Sequence, residues 1–135
     1  MKKYLFYLTL IFISLSTQSF SNFIKDGSLQ GRSDGNNVII SWQSENETNL
    51  KNYVIERSVN GNGQFFPIAS INLKGNNSFY QFIDESAFKT TASLYQYRIK
   101  IVEQNNNFTY SAVVTVTHNV SGVKRTWGSL KAMFR

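Results

Sequence analysis

The 135-residue chain has a formal net charge of +6, no cysteine, a single proline, and 16% charged residues against 41% hydrophobic and 15% aromatic. Lack of cysteine excludes disulfides, thiolate metal sites, a cysteine nucleophile and a lipidated cysteine, so packing alone must hold the fold. The length suits one domain with one closed core, and sparse charge beside abundant Asn, Ser and Thr suits strands and loops rather than salt-bridged helices.

Residues 1–21, MKKYLFYLTLIFISLSTQSFS, pair a cationic start with an apolar run from Tyr4 to Leu15 and small residues at Ser19 and Ser21. That is the layout of a secretory signal peptide, and the run is short for a membrane span. The expectation is export to the outside or the cell surface, with the periplasm also open, and a mature chain starting at Asn22. Losing Lys2 and Lys3 would lower the formal charge from +6 to +4. Four of the remaining cations, Lys124, Arg125, Lys131 and Arg135, crowd the last twelve residues, so the body is near neutral and nucleic acid is not an expected partner.

Past Asn22, short β-branched and aromatic runs alternate with polar turn clusters. In NNVIISWQS, Val38, Ile40 and Trp42 share one face, and a strand with a buried Trp is expected. In NYVIERSV, Tyr53, Ile55 and Arg57 share a face. Asn60-Gly61-Asn62-Gly63 then predicts a hairpin turn into QFFPIASI, where Pro67 marks an edge strand or a bulge. After Lys74-Gly75-Asn76-Asn77 come SFYQFID and a polar crossing. SLYQYRIKIVEQ then places Tyr95, Tyr97, Ile99 and Ile101 on one face, Asn105-Asn106-Asn107 turns the chain, and FTYSAVVTVTH reads as a further strand. The total is about seven strands of an all-β, two-sheet β-sandwich.

The order of NVIISWQSENETNLKNYVIERSVNG, FFPIASI, YQFIDES and YQYRIKIVEQNNNFTYSAVVTV, spanning about Gly35 to Thr117, resembles the fibronectin type III-like, immunoglobulin-fold modules of secreted bacterial proteins. The resemblance implies a core role for Trp42 and a corner closed by the Tyr95 hydroxyl. Such modules often accompany cargo of the type IX secretion route ahead of a sorting domain, which the tail here does not resemble. The division expected is a signal peptide at 1–21, the sandwich at 22–118 and a basic-aromatic tail at 119–135.

No catalytic set emerges. His118 has no second histidine and no serine motif beside it, and a surface or strand-end role is expected for it. Neither G-x-S-x-G nor a P-loop occurs. Glu45, Glu47, Asp84 and Ser86 read as turn residues that satisfy local backbone donors, and no D-x-D-x-D run calls for calcium. No cofactor or metal is expected. Phe65, Phe66, Tyr80, Phe82 and Tyr110 are candidates to stack on sugar rings, although strand aromatics commonly serve packing.

The tail VKRTWGSLKAMFR is the remaining feature. As a helix it gathers Trp127, Leu130, Met133 and Phe134 on one side and Lys124, Lys131 and Arg135 on another. The candidate partner-binding residues are Lys124, Arg125, Trp127, Leu130, Lys131, Met133 and Phe134. Three destinations stand open: the tail's own sandwich, a protein partner or second copy, and an anionic membrane surface. The functional expectation is an exported, non-enzymatic structural or adhesive module that associates with a partner or with itself through the tail or its edge strands. The alternative is a small carbohydrate-binding module using surface aromatics.

Overall fold

Alternation of large apolar and polar side chains dictates strands that bury one face, and two such sheets must cover each other. The computed structural model describes residues 22–87, 94–119 and 122–134, so the expected signal peptide and Arg135 lie outside the described residues. Among them are eight strands: β1 (Gln30–Ser33), β2 (Val38–Gln43), β3 (Leu50–Val59), β4 (Phe66–Ile71), β5 (Phe79–Asp84), β6 (Leu94–Glu103), β7 (Phe108–Tyr110) and β8 (Val114–Thr117). One helix follows, α1 (Gly122–Met133).

All strand pairs are antiparallel. A three-stranded sheet runs β1-β2-β5, and a five-stranded sheet runs β4-β3-β6-β7 with β8 also on β6. Their inner faces meet in one core. Val38, Ile40, Trp42 and Tyr80 come from the first sheet, and Tyr53, Ile55, Tyr95, Tyr97, Ile99, Ile101 and Val116 from the second. Phe23, Ile24 and Leu29 of the N-terminal segment pack against that cluster.

Trp42 lies at the centre. Its indole stacks on the Tyr80 ring at 4.9 Å and meets Tyr53 edge-on at 5.8 Å, which joins the two sheets through aromatic contacts. Tyr95 is fully buried and its hydroxyl donates to the Ala87 carbonyl, tying β6 to the crossing that precedes it.

The turns form where residues tolerant of positive φ stand. Asn60 and Gly61, at φ 56° and 64°, turn β3 into β4. Pro67 lies on edge strand β4, where the register with β3 shifts between Ile55 and Glu56, so the edge and the bulge coincide. A ladder position that cannot donate is tolerated there.

Two elements differ from the sequence reading. FTYSAVVTVTH forms two strands: β7 pairs with the end of β6 and β8 with its start. Between them Ser111 caps the interruption, its hydroxyl accepting from the Ile99 amide at 2.8 Å while its own amide donates to the Ile99 carbonyl at 2.9 Å. β1, QGRS, lacks alternating apolar residues and gave no strand signal. It forms because Gly31 lets its backbone approach the opposite sheet closely.

A Cβ at Gly31 would stand 2.6 Å from Cγ2 of Val116, with Ile40 and Val114 methyls at 3.2 and 3.3 Å. Gly31→Ala should therefore cost about 1–3 kcal/mol, the range for overpacking, in urea melts. Adding Val116→Ala should return part of that loss, because it removes the clashing methyl; a double variant whose costs simply add would refute the close approach.

Candidate docking helix, aromatic face and cleft

The tail is helical from Gly122 to Met133, longer than the nine residues with amphipathic spacing. On it Trp127 is 61% exposed, Leu130 39% and Met133 80%, and Phe134 just beyond it is 86% exposed. Lys131 is exposed in the last turn, where a cation favours the helix dipole. Lys124 and Arg125 lie within α1, and their side chains fall outside the described set. Of the seven candidate partner-binding residues, five are thus placed on an exposed segment.

The sugar-stacking candidates separate. Tyr80 is 3% exposed and belongs to the core, and Phe82 packs against it. Phe66 is exposed on edge strand β4. Tyr110 and Phe65 are drawn into an arrangement that sequence reasoning did not foresee. Register places Tyr110 opposite Lys100 and Phe108 opposite Val102, on the outer face of the five-stranded sheet. There the Arg98 guanidinium lies 4.2 Å from the Phe65 ring centre and 3.7 Å from that of Tyr110, and Lys100 Nζ lies 4.2 Å over Phe108. Arg98 also pairs with Glu56 at 2.7 Å. Alternating cations and rings thus form one stripe. Phe108 and Phe79, both exposed, were not among the candidates.

The buried polar groups are fasteners. Asp84 accepts from Arg57 Nη1 at 2.6 Å, from the Tyr97 hydroxyl at 2.9 Å and from the Ser86 hydroxyl and amide at 2.6 and 3.0 Å. Burial opposes its charge, but donors from Ser86, Arg57 and Tyr97 outweigh that and hold the carboxyl below its ordinary value. Tyr97 is pushed far above the usual phenol range, first by burial and then by Asp84, so it remains a donor.

Glu47 is not a local turn acid. Its carboxyl group is buried and accepts from the Tyr53 and Tyr80 hydroxyls and from the Gly75 amide, while Asn76 accepts from the Glu47 amide. Tyr80 is pushed up to about 12, by burial first and by Glu47 next. His118 is likewise not at the surface. It is 1% exposed, its Nδ1 stands 2.6 Å from Ser33 Oγ, and its ring meets Tyr95 edge-on. Ser33 Oγ also accepts the Gly35 amide, so the pair ties the end of β8 to β1.

A cleft of about 720 Å³ opens between the N-terminal segment and the far end of the five-stranded sheet. Phe23, Ile24, Ile101 and Val114 contribute apolar wall, and Asp26 and Glu103 contribute acids. Among the described residues, no group of three His, Asp or Glu stands together as a metal site.

No protein-family model matches the sequence, and no curated protein does. Solved structures do match in fold. An Fn3-like protein from Clostridium thermocellum aligns with a TM-score of 0.50 at 21% identity, over 69% of this chain and 90% of that one. Pectate lyase PelI from Erwinia chrysanthemi, in complex with tetragalacturonic acid, aligns at 0.53 and 19% identity over 65% of this chain and 27% of its own. Pectate lyase Pel3 from Pectobacterium carotovorum aligns at 0.50 and 25%, over 65% and 25%. The chain therefore spans about a quarter of the lyases it matches and nearly all of the Fn3-like protein. The sandwich has a fibronectin type III-like fold.

Asp84 carries a pH prediction. Its folded-state pKa is depressed, so its contribution is present above the unfolded value of 3.8 and is lost as pH falls through the folded one. Asp84→Asn should cost about 3–5 kcal/mol at pH 7, as for breaking a buried pair, and should flatten the decline of stability between neutral and acid pH. A variant as stable as the parent at pH 7, or one with an equally steep acid decline, would remove Asp84 from this role.

Proposed function

We propose that this fibronectin type III-like module is an exported, non-enzymatic docking unit that binds a protein surface through α1. The supporting observation is the exposure of Trp127, Leu130, Met133 and Phe134 together on one short segment. Large apolar side chains in that number are unfavourable in water, and a helix of 12 residues draws most of its stability from packing an apolar face. A protein groove supplies that face with a counterpart, and Lys131 with the neighbouring cations orients the approach. The layout of residues 1–21 supports the export part of this reading. The polar clusters support a non-enzymatic reading, because Asp84, Glu47 and Ser33 are each committed to internal hydrogen bonds.

A second reading has its own observation. The stripe of Phe65, Arg98, Tyr110, Lys100 and Phe108 offers exposed ring edges beside cations, an arrangement suited to a saccharide bearing carboxylates. The neighbour crystallised with tetragalacturonic acid is of that ligand class, although the matching share of it is about a quarter.

Light scattering across concentration on residues 22–135 separates the two. If α1 docks, any mass above monomer, or any complex with a purified partner, is lost in Trp127→Gln/Phe134→Gln while the melting temperature holds. An interaction untouched by the double substitution excludes the helix. If the stripe binds sugar, titration with oligogalacturonate gives saturable binding that Tyr110→Ala weakens at least about tenfold, the range for losing one stacking contact, and that the helix variant leaves intact.

A further inference from the structure

We infer that the open edge of β5 pairs with the same edge of a second copy, antiparallel about a twofold axis through Gln81, so that two three-stranded sheets join into one. This contact does not involve α1 and goes beyond the docking reading.

β5 is the edge best able to accept a strand. Among the described residues the outer strands are β1 and β5 of one sheet and β4, β7 and β8 of the other. β1 and β8 have four residues and β7 three, while β4 carries Pro67 and a register shift. β5 runs six residues against β2 in unbroken register. It holds no proline and no charge before Asp84, which is already paired with Arg57. Short length, proline, bulges and charge are the devices by which edges resist pairing, and β5 lacks them.

The phase of its backbone follows from its neighbours. The Ser44 amide donates to the Ser78 carbonyl at 2.9 Å, one step beyond the Gln43–Phe79 pair, and bonded pairs alternate along an antiparallel ladder. Tyr80, Phe82 and Asp84 therefore bond to β2, while the amides and carbonyls of Phe79, Gln81 and Ile83 point to the open edge. Lys74 bears this out: its ammonium, rather than an amide of β2, donates to the Phe79 carbonyl at 2.8 Å. A carbonyl has a second lone pair, so that contact leaves room for a strand amide. The side chains of the same three residues lie on the outer face of the sheet, with Phe79 73% exposed, Ile83 44% exposed and Gln81 between them also exposed.

A second copy of β5 complements this edge. With the axis through Gln81, Phe79 stands opposite Ile83 of the second copy, Ile83 opposite its Phe79, and Gln81 opposite Gln81. Every outward amide and carbonyl then meets one of the same phase, and outer face continues into outer face. The two Phe–Ile pairs are favourable cross-strand neighbours, and two carboxamides can exchange hydrogen bonds between them. Moving the axis to Tyr80 or Phe82 would leave Ile83 or Phe79 without a strand partner. Charge favours the same arrangement. The chain is cationic, yet Phe79 to Ile83 carries no charge, so two copies meet there without repulsion. Lys74 precedes the strand and exposed Glu85 follows it, and antiparallel pairing brings the end bearing one toward the end bearing the other.

Sedimentation of residues 22–135 across concentration, combined with cysteine cross-linking, tests this. The parent should show a monomer–dimer equilibrium. Gln81→Pro removes an amide that the sandwich does not use and the dimer uses twice, so it should weaken dimerisation at least about tenfold while the melting curve holds. Because the chain has no cysteine, single cysteines report the register. Gln81→Cys should oxidise to a disulfide dimer, since bonded partners stand about 5.5 Å apart at Cα, within disulfide reach. Phe79→Cys and Ile83→Cys, each roughly 14 Å from its own counterpart, should cross-link with each other in a mixture and not alone. If Gln81→Pro unfolds the sandwich, the cysteine series decides by itself. A parent that stays monomeric at every concentration overturns the inference, as does cross-linking that ignores position, or a dimer that a folded Gln81→Pro leaves intact. Trp127→Gln/Phe134→Gln separates this contact from the docking reading. A dimer that survives those substitutions and falls with Gln81→Pro belongs to β5, and α1 is then tested on a purified partner. A dimer lost with them and kept in Gln81→Pro is a helix contact: the inference fails and the docking reading stands.

Discussion

The contact between Trp42, Tyr80 and Tyr53 is the constraint on which this fold depends. A chain without cysteine must join its two sheets by packing, and here the largest side chain of β2 is clamped by a stacked ring from its own sheet and an edge-on ring from the other. Both tyrosines then need a partner for hydroxyls carried into the interior. Glu47 supplies it, and its second oxygen takes the Gly75 amide, so the cluster also fixes the β2–β3 and β4–β5 connections at one end of the sandwich. Aromatic burial and polar satisfaction are therefore one design: removing the carboxyl group would leave two buried phenols without an acceptor.

A similar arrangement holds another part of the molecule. Asp84 gathers Arg57 from β3, Tyr97 from β6 and Ser86 from the turn after β5, which ties the last residue of one sheet to the inner strands of the other. Tyr95 and His118 extend these ties toward the crossing after β5 and toward β1. Asp84 and Glu47 each accept from at least three donors. Such groups specify register and corner geometry at some cost in desolvation.

How much of this was legible follows from the range of each signal. β2, β3 and β6 were readable because alternation is local and their inner residues are large. The turns at Asn60-Gly61 and Asn106 were readable because few residues accept positive φ. β1 was not, since Gly31 contributes by the absence of a side chain, and that absence has meaning only once Val116 lies opposite. The break between β7 and β8 was hidden inside a continuous β-branched run. Glu47 looked like a turn acid because its partners Gly75 and Tyr80 stand 28 and 33 residues away. The cation–aromatic stripe was invisible for the same reason: Arg98 meets Phe65 and Tyr110 only through the pairing of distant strands.

The tail is the converse case, where composition was plain in the sequence and its meaning depends on surroundings. None of the tail residues whose side chains are described belongs to the core cluster. Nor do its large apolar side chains arise from the demands of the helix alone, because exposed helix positions are better filled by charged and small residues. A sandwich that buries its own aromatic cluster, followed by a helical segment exposing Trp127, Leu130, Met133 and Phe134, keeps these two kinds of apolar surface on different parts of the chain. A helix of 12 residues is marginal alone and gains order from a surface it packs against.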